Sequence, residues 1–464
     1  MVRAAERSAA SPDREPASTK RIGWFGWGLV AIVLLGFAIR VFYILNWRAS
    51  VPVHGDAVFY KDGAALLADG KGWINPFDYE LLHRTTQSAE HPPVYILWLW
   101  LPAVIGLRTK VEVMLWSAVM GAGSIALGGL AGKEIAGKRT GLIAAFFFAV
   151  YPNIFSHDGV MTSETAAIFT ATLAVWMAYR YWRSPGLWRA VMFGGACALA
   201  AMSRSELALY TPFVLLPMLL ATRSVDLKTR FKWLAAAGVI MVLIIGPWVG
   251  YNLSRFKDPV FLGTGDGITL LSANCPLTYH GPTTGYWKME CVLKTHAEIE
   301  KRHLDQSQAE GVYRDAAITF MRDNLDRLPT VVLVRWARIT GVWDLLDNFQ
   351  QVNLDHFPEG RELWVAFSGL YMFYALALLS IAGVIVLRKR KVPVYPLVAL
   401  IATVFITITI MFGQNRYRAS AEPALALLAA VAVDAALRRW WPGATAPTDV
   451  PRPAEVAPRE PATV

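Results

Sequence analysis

Val94-Tyr-Ile-Leu-Trp-Leu-Trp-Leu-Pro-Ala-Val-Ile-Gly-Leu107 is apolar from end to end and fourteen residues long, below the roughly 17–25 residues a helix needs to cross a bilayer. Whether it crosses decides on which side everything after it lies. Arg3, Arg7, Arg14, Lys20 and Arg21 precede the apolar stretch 22–46. Positive residues mark the cytoplasmic side, so 22–46 runs outward, as an uncleaved anchor with no convincing small-residue cleavage site behind it. If 94–107 also crossed, the basic loop Lys133-Glu-Ile-Ala-Gly-Lys-Arg139 and those after it would all fall outside. If it stays in the outer interface, every basic cluster falls inside, and this is the reading adopted.

Composition agrees with a lipid solvent. Of 464 residues, 55% are hydrophobic and 17% charged, more apolar surface than a soluble fold of this size hides. The formal charge of +10 sits in short clusters between apolar runs, which read as topology signals and exclude a nucleic-acid groove. Residues 1–21 and 441–464 are rich in Ala, Pro and polar residues and are expected to be disordered cytoplasmic tails.

From the interfacial 94–107 the chain returns through 112–132, leaves through 141–152 to Asn153-Ile-Phe-Ser-His-Asp158, and returns through 162–179. Residues 190–202 lead out to Ser203-Arg-Ser-Glu206, 207–221 lead back, and 233–251 exit. A polar outer segment follows, with an interfacial helix at 329–346 carrying Arg335 and Arg338. Residues 363–387 end at Arg388-Lys-Arg-Lys391, 392–412 reach Gly413-Gln-Asn-Arg-Tyr-Arg418, and 423–437 end at Arg438-Arg439. The expectation is an all-α polytopic membrane protein, a bundle of about 10–12 transmembrane helices. Its parts are a transmembrane module at 22–251 with a first outer loop at 47–111, an extracytoplasmic segment at 252–362, and C-terminal transmembrane helices at 363–440.

This parity gathers Asp56, His91, Asp158, Glu164, Arg204, Glu206, Arg416 and Arg418 at one membrane face. Ionisable groups at helix ends in or beside a bilayer are functional candidates, although outer loops are polar for ordinary reasons too. In His54-Gly-Asp-Ala-Val-Phe-Tyr60, Asp56 either caps a short amphipathic helix or presents its carboxylate to a substrate, with Tyr60 on the same face; the two roles are compatible. Asp158 and Glu164 flank a broken helix, where desolvation makes a carboxylate expensive. There is no Walker loop, no HExxH and no paired metal spacing, so soluble nucleotide chemistry and a dedicated zinc site are unsupported. No cofactor is required by the pattern, and a divalent cation stays open. Cys197 reads as a packed small hydrophobe, while Cys275 and Cys291 are either a disulfide in an oxidising compartment or two free thiols.

An enzyme working outside needs a donor already there, and lipid-linked sugar phosphates meet that need. A carboxylate takes a proton from the acceptor hydroxyl while cations hold the departing phosphate. Arg204, Arg335, Arg338, Arg416 and Arg418 are the pool for such a clamp, arginine being a bidentate phosphate ligand. For Arg335 and Arg338 the alternative is snorkelling to lipid headgroups.

With Gly55-Asp56 and Tyr60, His91-Pro-Pro-Val-Tyr95, the loop Lys133 to Arg139, Tyr151-Pro152 leading to Ser163-Glu164, and Ser203-Arg204-Ser-Glu206, the chain resembles the GT-C superfamily of membrane glycosyltransferases. The resemblance is to bacterial relatives of the protein O-mannosyltransferases and the lipid A aminoarabinose transferase. It implies a GT-C-like bundle and an inverting transfer from a polyprenyl-phosphate sugar to an acceptor hydroxyl on the outer side of the plasma membrane. The acceptor would be a cell-envelope glycan, a glycolipid or a protein, with Asp56 and Glu164 as the catalytic carboxylates. Tyr60, His91, Asp158, Arg204, Glu206, Arg335, Arg338, Arg416 and Arg418 would then meet substrate. Two departures stand out: His91 occupies the place where such families often carry Lys, and Gly55-Asp56 replaces a paired Asp-Glu, which puts a protein acceptor in doubt. Competing readings are a flippase or transporter of lipid-linked saccharides and a surface-polysaccharide ligase or polymerase.

Overall fold

The computed structural model describes residues 23–343 and 361–440; both expected tails and residues 344–360 lie outside it. Among the described residues the fold is helical, with a single isolated bridge, Ile74 to Gln87. The chain is a multi-pass membrane protein. Four helices are long and apolar enough to cross a bilayer: Trp24–Arg48, Lys110–Ala136, Leu227–Arg255 and Leu363–Lys389. The bent pair Lys138–Val150 and Pro152–Gly159 makes a fifth if counted as one span. Among the described residues this is fewer than the expected ten to twelve: Leu187–Ala201, Ser205–Leu220 and Tyr395–Ile410 are shorter apolar helices, and Glu164–Arg183 and Glu422–Trp440, 20 and 19 residues long, are not apolar enough to count. Val94–Val104 forms 11 helical residues, about 16 Å of rise against roughly 30 Å of hydrocarbon.

The hairpin of Lys110–Ala136 and Lys138–Val150 forms the heart of the bundle. Its first helix opens with a capping box between Thr109 and Glu112, which satisfies two otherwise orphaned N–H groups. Small residues then let the two backbones approach. A Cβ at Gly141 would lie 2.5 Å from the carbonyl oxygen of Gly129. On the far side Gly383 does the same for Leu363–Lys389 and Glu422–Trp440, where a Cβ would meet the Leu428 carbonyl oxygen at 2.1 Å.

The break after Val150 has an identifiable cause. Pro152 has no N–H to give the carbonyl of Phe148. Arg40 of the first span fills the vacancy, donating from Nη2 to the Phe148 carbonyl at 3.2 Å and from Nε to Asp158 Oδ2 at 2.6 Å. Thr165 Oγ1 donates to the other Asp158 oxygen at 2.9 Å. Arg40 is fully enclosed and Asp158 is 1% exposed, so the pair staples the re-entrant turn to the first span.

The polar segment after Arg255, expected on the outer side, contains the helices Asp266–Ala273, Leu293–Lys301, Gln306–Asp323 and Leu328–Ile339. Cys275 and Cys291 are joined there, their Cα atoms 5.9 Å apart, and Cys197 is a buried free thiol. The segment is tied to the first outer loop: Gln306 Oε1 accepts from the Ala89 N–H at 2.8 Å, and the Thr264 N–H donates to the Ala89 carbonyl at 2.8 Å.

Candidate functional site

Helix Asp56–Ala68 starts after Gly55, whose φ of 55° is a left-handed conformation that favours glycine. Asp56 is therefore the first helical residue; Gly55 holds the cap position, with no side-chain cap bond. Asp56 faces Arg416, and the two form an ion pair. Arg416 Nε lies 3.1 Å from Glu164 Oε1. The same Glu164 oxygen accepts from Arg204 Nη1 at 2.8 Å, and Arg204 Nε reaches Glu206 Oε1 at 2.5 Å.

The result is an alternating chain, Asp56, Arg416, Glu164, Arg204, Glu206, built from four separate parts of the sequence. Tyr417 floors it: the Arg204 guanidinium lies 4.9 Å and that of Arg416 5.9 Å from its ring centroid, a cation–π arrangement. Exposure falls from Asp56 to Glu164. The Asp56 side chain is 32% exposed, that of Arg416 19%, and Glu164 is fully enclosed. Burial pushes the Asp56 carboxyl up, but the Arg416 guanidinium outweighs it, and Asp56 titrates below the usual carboxylate range. It is ionised at neutral pH.

His91 borders this chain between two rings, stacked on Tyr60 at 4.9 Å and edge-on to Phe59 at 5.0 Å. Burial lowers its pKa; Asp56 works against this, and Arg416 and Arg204 reinforce it. His91 is thus a neutral imidazole here, and its buried Nε2 makes no hydrogen bond. It does not bring the full positive charge that a lysine at this place would have. Next to it, Glu90 is raised to about 7 by burial, with Asp56 and Asp78 adding to the effect.

Four expected substrate contacts lie elsewhere, each for a physical reason. Asp158 is consumed by Arg40 and Thr165, as described above. Arg335 is fully buried and caps two helix C-termini. It donates to the carbonyls of Thr409 and Ile410 at 2.8 and 3.0 Å, to Ala273 at 2.8 Å, and to Asn274 Oδ1 at 2.9 Å. Arg338, also fully buried, donates to the carbonyls of Thr284 and Pro282. Arg418 pairs with Glu422 at 2.6 Å and lies 3.6 Å from the Phe373 ring centroid. Neither Arg335 nor Arg338 snorkels: backbone carbonyls, at two helix ends for Arg335 and in the turn at 282–284 for Arg338, take their N–H groups.

A second polar layer, unread in the sequence, adjoins the first. Arg361 Nη1 donates to Asn153 Oδ1 at 2.8 Å, and Nη2 lies 2.8 Å from His157 Nε2. Asn153 continues to Tyr151 at 3.0 Å, and Tyr151 donates to Glu422 Oε2 at 2.7 Å. Arg361, Glu164, Arg416 and Arg204 all act electrostatically on His157, so both layers surround the re-entrant turn. Unlike Arg204 and Arg416, Arg361 makes its hydrogen bonds to neutral acceptors, while the Glu422 and Glu164 carboxylates act on it from farther off. A signal was available: Arg361 falls at the same outer end as Asp56 by the parity of the spans. Among the described residues no group of three or more His, Cys, Asp or Glu is arranged to hold a metal ion.

Residues 90–251 match the family model described as dolichyl-phosphate-mannose-protein mannosyltransferase. Among solved structures, the oligosaccharyltransferase of Archaeoglobus fulgidus in its apo form is similar at 16% identity and a TM-score of 0.53, over 92% of this chain and 52% of that one. The archaeal oligosaccharyltransferase AglB from the same organism, in complex with an inhibitory peptide and a dolichol-phosphate, gives 15% and 0.51, over 90% and 50%. The fold is GT-C-like. This GT-C-like chain spans about half the length of the oligosaccharyltransferase it matches. ArnT from Cupriavidus metallidurans bound to undecaprenyl phosphate aligns at 14% identity and a TM-score of 0.45, over 92% of this chain and 82% of that one. No curated protein matches the chain.

Proposed function

We propose that the chain is a membrane glycosyltransferase that moves a sugar from a polyprenyl-phosphate carrier to an acceptor hydroxyl on the outer face of the membrane, with inversion at the anomeric carbon. The observation that carries this reading is the alternating chain from Asp56 to Glu206, in which Asp56 is the most exposed of the three carboxylates. The matched mannosyltransferase domain and the GT-C-like fold support it.

The acceptor oxygen bonds to the anomeric carbon as the bond from that carbon to the phosphate oxygen breaks, and the acceptor proton passes to Asp56. Polyprenyl phosphate leaves as a stable anion without an acid. Arg361, whose hydrogen bonds go to neutral acceptors, is the first anchor for the donor phosphate; Arg204, held by Glu164 and Glu206, and Arg416 follow. A phosphate that draws Arg416 away from Asp56 also removes the main influence lowering its pKa. Donor binding thereby turns a weak base into a stronger one. One accessible carboxylate acting as a base, with no second one placed as a nucleophile, corresponds to a single displacement.

The test is transfer by membranes supplied with a panel of polyprenyl-phosphate sugars, read as release of polyprenyl phosphate. Asp56→Asn keeps the shape of the side chain but cannot take the proton, so turnover should fall by about 10² to 10⁴ at equal protein. Near-normal transfer by this variant would reduce Asp56 to a helix-end residue, where Asn serves as well as Asp.

A further inference from the structure

The opposite end of the bundle carries a feature that transfer chemistry does not use. Helix Glu164–Arg183 runs from the site to that end, and so does Leu363–Lys389, which begins where Glu362 pairs with Arg48 at 3.4 Å. Between their far ends lies a cleft of about 560 Å³, lined by Trp182, Arg388, Lys391, Val394, Tyr395 and Val398 among others. That size is in the range of small-molecule sites, roughly 300–1,000 Å³.

Its charge is uncompensated. Glu134 is already engaged with Arg183 at 3.4 Å, and Asp434 with Arg438 at 2.9 Å and Arg139 at 3.5 Å. Among the described residues neither Arg388 nor Lys391 has an ion-pair partner. The turn that carries Lys391 is held rather than loose: its N–H donates to the Arg388 carbonyl at 3.0 Å, and the Val392 N–H to the Leu387 carbonyl at 3.0 Å. Trp182 and Tyr395 are the residue types that settle at headgroup depth, and Val394 with Val398 continues the cleft as an apolar strip. Cations, interfacial aromatics and an apolar strip together supply partners for the three levels of a phospholipid: phosphate, glycerol and the first methylenes.

We propose that this cleft is a binding site for the headgroup of an anionic phospholipid, at the end of the bundle away from the transfer site. Basic pockets between transmembrane helices bind such headgroups, and each Lys or Arg adds about fivefold in affinity.

The full chain, purified in mild detergent and offered equimolar phosphatidylglycerol and phosphatidylcholine, should retain phosphatidylglycerol preferentially in native mass spectrometry. The double variant Arg388→Ala, Lys391→Ala should lose about thirtyfold in phosphatidylglycerol affinity. Lys391→Ala alone, on an exposed turn, should lose about fivefold, which keeps the test alive if the double variant does not fold. Arg388→Lys should keep the preference. Equal retention of the two lipids, or unchanged affinity in both alanine variants, would overturn the proposal. So would displacement by millimolar inorganic phosphate, which would assign the cleft to a soluble anion.

Discussion

Arg335 and Arg416 stand at the same end of the bundle and differ in one respect, the kind of oxygen each faces. Arg335 is enclosed by three backbone carbonyls and an amide oxygen, neutral acceptors that helix ends leave over. Arg416 faces the carboxylates of Asp56 and Glu164 and keeps 19% of its side chain exposed. The first arrangement closes a fold. The second holds a charge in place while leaving it within reach of an incoming anion.

If that contrast is right, the two arginines fail differently on substitution. Arg335→Met strands the Thr409 carbonyl, at about 1–3 kcal/mol, and takes one of two donors from the Ala273 and Ile410 carbonyls and Asn274 Oδ1, which keep Thr278, Asn274 and Tyr279, so the protein should lose about 1–3 kcal/mol of stability and accumulate less, read as thermal unfolding in detergent. Stable, abundant Arg335→Met protein would break the comparison. Arg416→Met should leave accumulation nearly normal, because Glu164 keeps Arg204, while turnover falls by about 10² to 10³. A variant that disappears from the membrane instead would make Arg416 a second structural arginine.

The same division explains what could be read without coordinates. Asp56, Glu164, Arg204, Glu206 and Arg416 come together from distant stretches because charge parity alone puts them at one face, and that argument needs no contacts. Asp158 passes the same parity test but belongs to the fold, because its partner Arg40 sits 118 positions away inside an apolar span and nothing local to either residue announces the pairing. Pro152 carried half of that message: a carbonyl four residues earlier must lose its donor. Arg361 escaped notice for the opposite reason, lying beside a polar stretch with no motif of its own. The helical class and a short helix starting at Asp56 were legible, because period and capping chemistry are local properties. The short apolar helices were counted as full spans because apolarity was weighed more heavily than length.

Smaller effects sharpen the contrast in the outer segment. Cys275→Ser opens a loop whose closure contributes about 3 kcal/mol in the chain-entropy model, so the unfolding temperature should fall while transfer persists in the cold. Glu90 tests the electrostatics directly. Its folded pKa of about 7 lies above the ordinary 4.5, so the folded protein keeps a proton that the unfolded chain releases. The stabilisation from this group is complete below about pH 4.5 and is lost as pH rises towards 7. Glu90→Gln should flatten the stability profile between pH 5 and 7 by up to about 1.4 kcal/mol per pH unit, and an unchanged slope would place the titrating proton elsewhere.

Three carboxylates and two guanidiniums leave the chain from Asp56 to Glu206 one negative charge in excess, and this sets a kinetic problem for the proposed reaction. The donor is a phosphodiester with one charge, whereas the spent carrier is a monoester with about 1.5 to 2 charges at pH 7. Arginines that bind the first should bind the second more tightly, so product would tend to stay. At the moment of transfer Asp56 has just become neutral by taking the acceptor proton. When it ionises again and reclaims Arg416, the excess negative charge returns beside the monoester. Loss of that proton to water becomes the step that ejects the carrier, and turnover limited by product release would then speed up with rising pH while the chemical step itself stayed constant.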